Sequence, residues 1–276
     1  MGIKRSAYYY QKKEDSANAQ QEILLQEKIQ RIAYQYPYYG YRRITAQLHR
    51  ENMTINHKRV LRLMRKMGIQ VRIKRKYVTT TNSRHNHPIY PNLIKDRIIN
   101  GINQVWCSDI TYIRILTGFV YLAAIIDIYS RKIVGYAIAK TLSPELTIAA
   151  LHMAIANRDT NKLIHHSDQG VQYACQEYIR ILKEHGIRIS MSAKGNPYDN
   201  AYVESFFKTL KQEEVYIWQY ESYRDVMMRV PYFILDVYNN RKRLQSALGY
   251  RPPEEFENLL TGNASQEEKK AKTLSV

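Results

Sequence analysis

The chain has 276 residues, 45% of them hydrophobic, and its 42 Lys and Arg against 25 Asp and Glu give a formal net charge of +17. This composition excludes a disordered chain and predicts one large domain with a smaller companion. No apolar run approaches the roughly 18 residues that cross a bilayer, so we expect a cytoplasmic protein with no membrane partner. The two cysteines, Cys107 and Cys175, lack the spacing of a zinc site and are too few for a disulfide framework.

The positive charge is concentrated in the first third of the chain. Residues 1–100 hold 21 Lys and Arg against 6 Asp and Glu, whereas the remainder holds 21 against 19. A cationic segment attached to a nearly neutral body is typical of a polyanion-binding region joined to a domain with another task. The alternative is that the charge serves solubility alone, but solubility does not require charge to be segregated.

Three amphipathic helices are predicted in residues 1–70, at 17–36, 41–50 and 56–67. Pro37 ends the first helix and Gly68 follows the third, where a C-terminal cap is favoured. The predicted apolar positions of the first and third helices are Ile23, Leu24, Ile29 and Ile32, and Val60, Leu61, Met64 and Met67. Two short helices, a turn and a basic last helix predict a small all-α, helix-turn-helix-like DNA-binding region.

The basic side chains of these helices are candidate DNA contacts, although basic amphipathic helices are also common as solvated faces. The candidates are Arg42, Arg43, Lys58, Arg59 and Arg62. Residues 71–100 lack a steady apolar period and predict a basic linker, which could follow a phosphate backbone or simply remain solvated. Residues 261–276 predict a flexible C-terminal tail.

Residues 101–260 change to a pattern of alternating strands and helices. Strands are predicted at 105–115, 119–128, 132–139, 163–166 and 188–190, with a hairpin turn at 116–118. Helices are predicted at 144–157, 175–185, 200–213 and 222–239. Three meandering strands followed by alternating helices and strands indicate an α/β fold, in which a mixed five-stranded sheet is flanked by helices. This is the order of a ribonuclease H-like fold.

Three acidic residues fall at positions that suit metal-dependent chemistry. Asp109 lies inside the first strand, Asp168 just past the fourth, and Glu204 one turn into a helix. A lone buried aspartate is more often a turn or cap, but 58 residues separate Asp109 from Asp168, and 35 separate Asp168 from Glu204. Clustered carboxylates suit Mg²⁺ or Mn²⁺, and two such ions about 4 Å apart support phosphoryl transfer.

With this spacing, the chain resembles the transposase and integrase superfamily that carries a D, D(35)E triad. More narrowly, it resembles the OrfB-type transposase of the two-frame bacterial insertion-sequence family, whose catalytic core is similar to retroviral integrase. The resemblance spans roughly residues 38–257. It is carried by residues 39–44, 58–64, 126–135, 166–173, 190–211 and 238–250.

The resemblance implies a two-metal DNA transposase that cleaves insertion-sequence ends and catalyses strand transfer. Asp109 would be shared by both ions, with Asp168 and Glu204 each completing one site. Lys211, seven residues after Glu204, would help to position DNA, with Lys208 on the same helix face. Lys194 opens a segment, 194–197, that resembles the mobile loop of integrases.

The resemblance also implies partners. The chain would bind terminal inverted repeats and target DNA in the bacterial nucleoid, as a homo-oligomer that is at least a dimer on DNA. An upstream-frame (OrfA) product would supply further DNA binding, and this chain would begin after it. Gln245 stands where the family often has His, which puts any role for that side chain in doubt, and the zinc-binding domain of retroviral integrases is missing.

Two other functions remain open from the residues alone. The triad also supports a structure-selective nuclease on the same fold, and the basic helices support a non-catalytic DNA-binding regulator. Other polar residues near the triad are given no catalytic role. Asp127 resembles a non-ligand position, Asp199 is suited to cap the Glu204 helix, and His165 and His166 alternate along a strand.

Overall fold

A computed structural model describes residues 16–69, 88–192, 200–240 and 242–262, with only the backbone described for 16–19. The chain divides into two compact units, Met1–Ile73 and Lys74–Val276. The predicted linker before residue 88, the tail after 262 and the cap at Asp199 lie outside the described residues. None of the helices in the described ranges is long and apolar enough to cross a membrane.

The first unit contains three helices, α1 (Ser16–Gln35), α2 (Tyr41–Arg50) and α3 (His57–Lys66), each within one residue of its predicted bounds. The Asn56 side chain accepts a hydrogen bond from the Lys58 backbone N–H at 2.8 Å, which satisfies a free donor in the first turn of α3. Gly68 has a φ of +69°, as expected for the residue that follows the helix cap.

The apolar face of two of these helices was partly mispredicted. Ile23 and Leu24 are 55% and 59% exposed, and Leu25 is buried instead. In α3 the buried positions are Val60, Leu63 and Met64, whereas Leu61 and Met67 are half-buried. In α1, steps of four and three residues align Leu25 with Ile29 and Ile32, and this stripe faces the core.

The second unit is built on a mixed five-stranded sheet, as predicted. The strands are β1 (Val105–Ile115), β2 (Gly118–Asp127), β3 (Ile133–Ala139), β4 (Ile164–Ser167) and β5 (Arg188–Met191). Their order is β3-β2-β1-β4-β5, in which β1 to β3 form an antiparallel meander and β4 and β5 run parallel to β1. All five strands begin and end within one residue of the predicted positions.

Helices cover both faces of this sheet. Helices α4 (Pro144–Asn157), α5 (Val171–Ala174) and α6 (Gln176–Glu184) pack on the face that carries Trp106. Helix α7 (Ala201–Leu210) and the segments after it pack on the face that carries Val105 and Cys107. Adjacent β1 residues therefore enter different cores, because side chains alternate along a strand.

The C-terminal part departs most from prediction. Each long predicted helix changes to a π-helix, the first at Lys211–Val215 before α8 (Tyr216–Trp218), and the second at Phe233–Asn239 after α9 (Tyr223–Tyr232). A final helix, α10 (Pro253–Leu260), was not predicted. The first π-helix buries three consecutive residues, Glu213, Glu214 and Val215, because its two carboxylates are held by arginines within the fold.

Asp127 has a structural role at the turn between β2 and β3. Its carboxylate accepts hydrogen bonds from the backbone N–H groups of Asn103 at 2.6 Å and of Tyr129 and Ser130 at 2.9 Å. These three donors satisfy both oxygens of a carboxylate with 0% exposure. The residue is therefore a turn-forming aspartate, away from the metal-ligand candidates.

Gly135 permits the close packing of α4 on β3, and its replacement tests the fold. A Cβ atom there would lie 2.2 Å from the Ala150 carbonyl oxygen and 2.8 Å from the Ala154 Cβ. We expect Gly135→Ala to destabilise the protein by about 1–3 kcal/mol, the usual cost of overpacking. Thermal unfolding measures this effect. Gly101→Ala is the control, since its Cβ would meet only the flexible end of Gln104, and equal melting temperatures for the two variants would contradict the packing.

Candidate active site

Asp109 lies where β1 loses its neighbour on one side. The parallel pairing of β1 with β4 ends at Cys107 opposite His166, whereas the antiparallel pairing with β2 continues, with Asp109 opposite Ala124. The Asp109 side chain is half-buried, and its carboxylate accepts a hydrogen bond from the Ile110 backbone N–H at 2.7 Å. Asp109 therefore lies on a part of β1 that, among the described strands, is paired with β2 alone.

Asp168 lies at the same level, one residue past the end of β4. Its Oδ1 accepts a hydrogen bond from the Gly170 backbone N–H at 2.9 Å, and Gly170 N-caps α5. A Cβ at residue 170 would lie 2.9 Å from that oxygen, so a glycine lets the backbone approach the carboxylate closely. The carboxyl end of a parallel strand is also where open α/β sheets place ligands.

The two aspartates repel each other. Burial, the neighbouring Asp168 carboxylate and, to a lesser extent, Glu204 together raise the pKa of Asp109 to about 8. The Ile110 N–H and the Lys211 ammonium act in the opposite direction. A carboxyl group that holds its proton near neutral pH for these reasons would readily exchange that proton for a cation.

Glu204 is held on a separate helix. It is exposed in the first turn of α7, and burial moderately raises the pKa of its carboxyl group. The N-cap residue of α7, Asn200, donates through Nδ2 to the Ser108 carbonyl oxygen at 3.4 Å, which ties the helix to β1. Within the described ranges, no three His, Cys, Asp or Glu side chains lie close enough to hold a metal ion. The structure thus brings Asp109 and Asp168 together, with Glu204 nearby on α7.

Of the basic residues predicted near the triad, Lys211 reaches Asp109. It lies at the end of α7, and its Nζ is 4.5 Å from the centroid of the Tyr112 ring. Burial lowers the pKa of this lysine, and the Asp109 carboxylate partly opposes that shift. Lys208 is exposed on α7, and Lys194 lies outside the described residues.

Sequence reasoning missed two buried hydroxyl groups beside the aspartates. Tyr173 is 2% exposed, and its pKa is raised well above the ordinary value by burial and then by the Asp109 carboxylate. The Ser108 hydroxyl is near enough to lower that pKa, yet neither hydroxyl has a partner in hydrogen-bonding geometry among the described residues. The only sequence signal for Tyr173 was its place in the resembling segment 166–173.

The two histidines that precede Asp168 are buried. His165 Nε2 lies 2.9 Å from the Tyr178 hydroxyl, and burial lowers the pKa of His165 to about 3. His166 Nδ1 lies 2.8 Å from the Ser190 hydroxyl, which also accepts a hydrogen bond from the Leu93 N–H. Both rings therefore belong to hydrogen-bonded packing around β4, an interior strand of the sheet.

In the first unit, the candidate DNA contacts differ in their surroundings. Arg42 and Lys58 are exposed, and the Arg43 guanidinium lies 5.7 Å from the centre of the Tyr39 ring. Arg62 and Arg59 lie 2.9 Å and 4.0 Å from the Glu22 carboxylate. These ion pairs are largely exposed, so they contribute little to stability.

Comparison with known proteins identifies the family. The sequence model described as "Integrase core domain" matches residues 100–197, a second model with that description matches 185–253, and one described as "HTH-like domain" matches 19–77. The "Insertion element IS600 uncharacterized 31 kDa protein" of Shigella sonnei is 37% identical over 92% of this chain and 95% of that protein. "Transposase InsF for insertion sequence IS3A" of Escherichia coli (strain K12) is 37% identical over 80% of this chain and 77% of that protein.

This chain belongs to the insertion-sequence transposase family. The "Transposase for insertion sequence element IS904" of Lactococcus lactis subsp. lactis (strain IL1403) is also 37% identical, over 85% of this chain and 93% of that protein. Family membership confirms the predicted DDE-type DNA transposase, with a helix-turn-helix-like region and a ribonuclease H-like integrase core.

Two solved structures show a more distant similarity. One is the simian T-cell lymphotropic virus intasome in complex with PP2A regulatory subunit B56 gamma, with a TM-score of 0.47 and 18% identity over 81% of this chain and 72% of that chain. The other is the catalytic core domain of BIV integrase, with a TM-score of 0.45 and 17% identity over 58% of this chain and 99% of that chain.

The raised pKa of Asp109 predicts a pH-dependent change in stability. Because the folded pKa exceeds the unfolded value of 3.8, the metal-free transposase loses stability as the pH rises towards about 8. Asp109→Asn removes that loss. In the presence of a chelator, its melting temperature should exceed that of the wild type by a margin that grows between about pH 5 and pH 8. Each kcal/mol of difference in the free energy of unfolding corresponds to about 2–4 °C. Asp236→Asn, at an exposed acid, is the control, and a pH-independent margin for Asp109→Asn would contradict the account.

Proposed function

We propose that Asp109, Asp168 and Glu204 bind two Mg²⁺ or Mn²⁺ ions and that this site cleaves insertion-sequence ends and joins them to target DNA. The observation that carries the proposal is that Asp109 and Asp168 lie close together where the pairing of β1 with β4 ends. Because burial and the Asp168 carboxylate raise the pKa of Asp109, a bound cation would favour the ionisation of both carboxylates.

The donor set fits the metals. Carboxylate oxygens are preferred by Mg²⁺ and Mn²⁺, and Asp109 would be shared between two ions, with Asp168 completing one site and Glu204 the other. Glu204 is exposed on α7, which Asn200 ties to β1, and its carboxylate is near enough to raise the pKa of Asp109. When bound, two such ions activate the attacking oxygen and stabilise the leaving oxygen in phosphoryl transfer.

The basic residues would position the DNA. Lys211 lies beside Asp109 and would hold a phosphate next to the reacting one, and Lys208 and Lys194 would contact the strand on either side. The helix-turn-helix-like region would bind the terminal inverted repeats. Its proposed contacts are Arg42, Arg43, Lys58, Arg59 and Arg62.

The reaction needs no covalent protein intermediate. Water attacks a phosphodiester at the element end and frees a 3′-hydroxyl group, which then attacks a second phosphodiester and releases its 3′ oxygen. Joining two ends requires two sites, so we propose that at least two copies of the chain act together on the DNA. The product of an upstream reading frame would assist them, and the reaction would take place in the bacterial nucleoid. The transferred 3′-hydroxyl distinguishes this reaction from the hydrolysis of a structure-selective nuclease.

Substitution of the three acids tests the site. Asp109→Asn, Asp168→Asn and Glu204→Gln should each reduce Mg²⁺-dependent cleavage and joining by about 100-fold or more, since each removes a charge that stabilises the transition state. The assay follows a labelled 3′-hydroxyl end into a new strand, and Asp236→Asn should retain activity. An Asp109→Asn protein that joins ends at the wild-type rate would exclude the proposed site, and labelled ends that are cut but never joined would favour the nuclease.

Substitutions in the first unit test the DNA-binding role. Lys58→Ala should weaken binding to element ends and reduce the slope of log affinity against log salt by about 1, because one phosphate contact is lost. Glu22→Gln should strengthen binding, since it frees Arg59 and Arg62 from their ion pairs. Both are measured with the full chain by salt-dependent fluorescence anisotropy. Unchanged slopes and affinities in both variants would contradict this contact surface.

A further inference from the structure

An aromatic cluster lies on the open part of β1, next to the candidate active site. The Tyr112 and Phe119 rings are 5.3 Å apart and perpendicular, close to the turn of the β1–β2 hairpin. Phe119 is 49% exposed and Tyr112 is half-buried. Burial raises the pKa of the Tyr216 phenol, and the nearby Tyr112 hydroxyl raises it further. We call Tyr112 and Phe119 the aromatic step.

Lys211 connects the aromatic step to the acidic site. Its ammonium group lies 4.5 Å from the Tyr112 ring centroid and also acts on the Asp109 carboxylate. Tyr112 is three residues after Asp109, beyond the end of the β1–β4 pairing, so no strand among the described residues covers this edge of β1. One cation thus lies between a metal-ligand candidate and an exposed aromatic surface.

This combination has the chemistry of a site for unpaired nucleotides. Every base has a π-face that stacks on an aromatic ring, and a neighbouring ammonium group pairs with the phosphate of the same nucleotide. Arg114 is exposed in β1 and pairs across the hairpin with Phe119, which adds a second positive charge. Beyond Arg114, the Leu116 N–H donates a hydrogen bond to the backbone carbonyl oxygen of Glu221. Glu221 is an exposed acid, and its negative charge disfavours a phosphate at this point. The positive surface is therefore short.

We propose that the aromatic step binds an unpaired base of the DNA end and that Lys211 holds the phosphate of that nucleotide beside the carboxylates. This inference rests on the proposed function and adds to it a specific substrate form, an end whose last nucleotides are unpaired. Stacking would hold the end open, so that its terminal phosphodiester reaches Asp109 without the partner strand.

The test compares binding of the full chain to paired element ends and to ends with two unpaired terminal nucleotides, one of them 2-aminopurine. The wild type should bind the unpaired end about fivefold or more tightly and should quench the 2-aminopurine fluorescence. Phe119→Leu and Tyr112→Leu should lower this preference to about one and reduce the quenching. Tyr112→Phe retains the ring and should retain both.

Tyr232→Leu is the matched control. Tyr232 is 48% exposed and lies beside a lysine, Lys242, at 4.7 Å, but it is on α9. It should leave the preference and the quenching unchanged. Binding to the fully paired end should stay within about twofold in all variants, because phosphate contacts dominate it.

Two results would overturn the inference. The first is a wild type with no preference for unpaired ends. The second is an unchanged preference in Phe119→Leu and Tyr112→Leu together with a loss of oligomers, which would assign the step to a protein interface. Neither result affects the proposed function, whose test is the loss of metal-dependent cleavage and joining in Asp109→Asn.

Discussion

The end of the β1–β4 pairing at Cys107 and His166 is the constraint on which the rest of the site depends. Asp109 and Asp168 come directly after this end, and burial and the neighbouring Asp168 carboxylate make the Asp109 carboxylate less stable as an anion. Without a cation, such a pair lowers the stability of the fold. The repulsion lowers the free energy of unfolding, and metal binding would restore it. The apolar core formed by β1, β2 and both helical layers keeps the protein folded in spite of this repulsion.

The lysine beside this pair depends on ion pairs far along the chain. Lys211 begins the first π-helix, and the next acidic residues of that segment are buried. Arg243 contacts Glu213 at 2.7 and 2.9 Å, and Arg229 contacts Glu214 at 2.7 Å. Breaking a buried pair leaves an uncompensated charge, so the arginines effectively fix the segment after α7. The C-terminal helices thereby contribute to the position of a residue that we place at the DNA.

The sequence predicts the sheet well because strongly alternating or continuously apolar runs identify β1 to β5 with little ambiguity. It predicts the elements that carry the three acids, and their spacing identifies the family. It does not predict the π-helices, and in the first of them the buried glutamates pair with Arg229 and Arg243, which are distant in sequence. Because side chains alternate along β1, the sequence places Tyr112 and Asp109 on opposite faces of the sheet and does not predict that Lys211 approaches both of them. The structure shows that it does so at the unpaired edge of β1. Ile23 and Leu24 were mispredicted because the helical period alone allowed more than one apolar face.

The most direct test of the central claim is anomalous diffraction from crystals of the full chain grown with Mn²⁺ and an element end. Two Mn²⁺ ions about 4 Å apart are expected, with the Asp109 carboxylate bound to both, Asp168 to one and Glu204 to the other. In that complex, α7 should have moved Glu204 to within coordination distance. Manganese bound elsewhere, or a single site that excludes Asp109, would contradict the account.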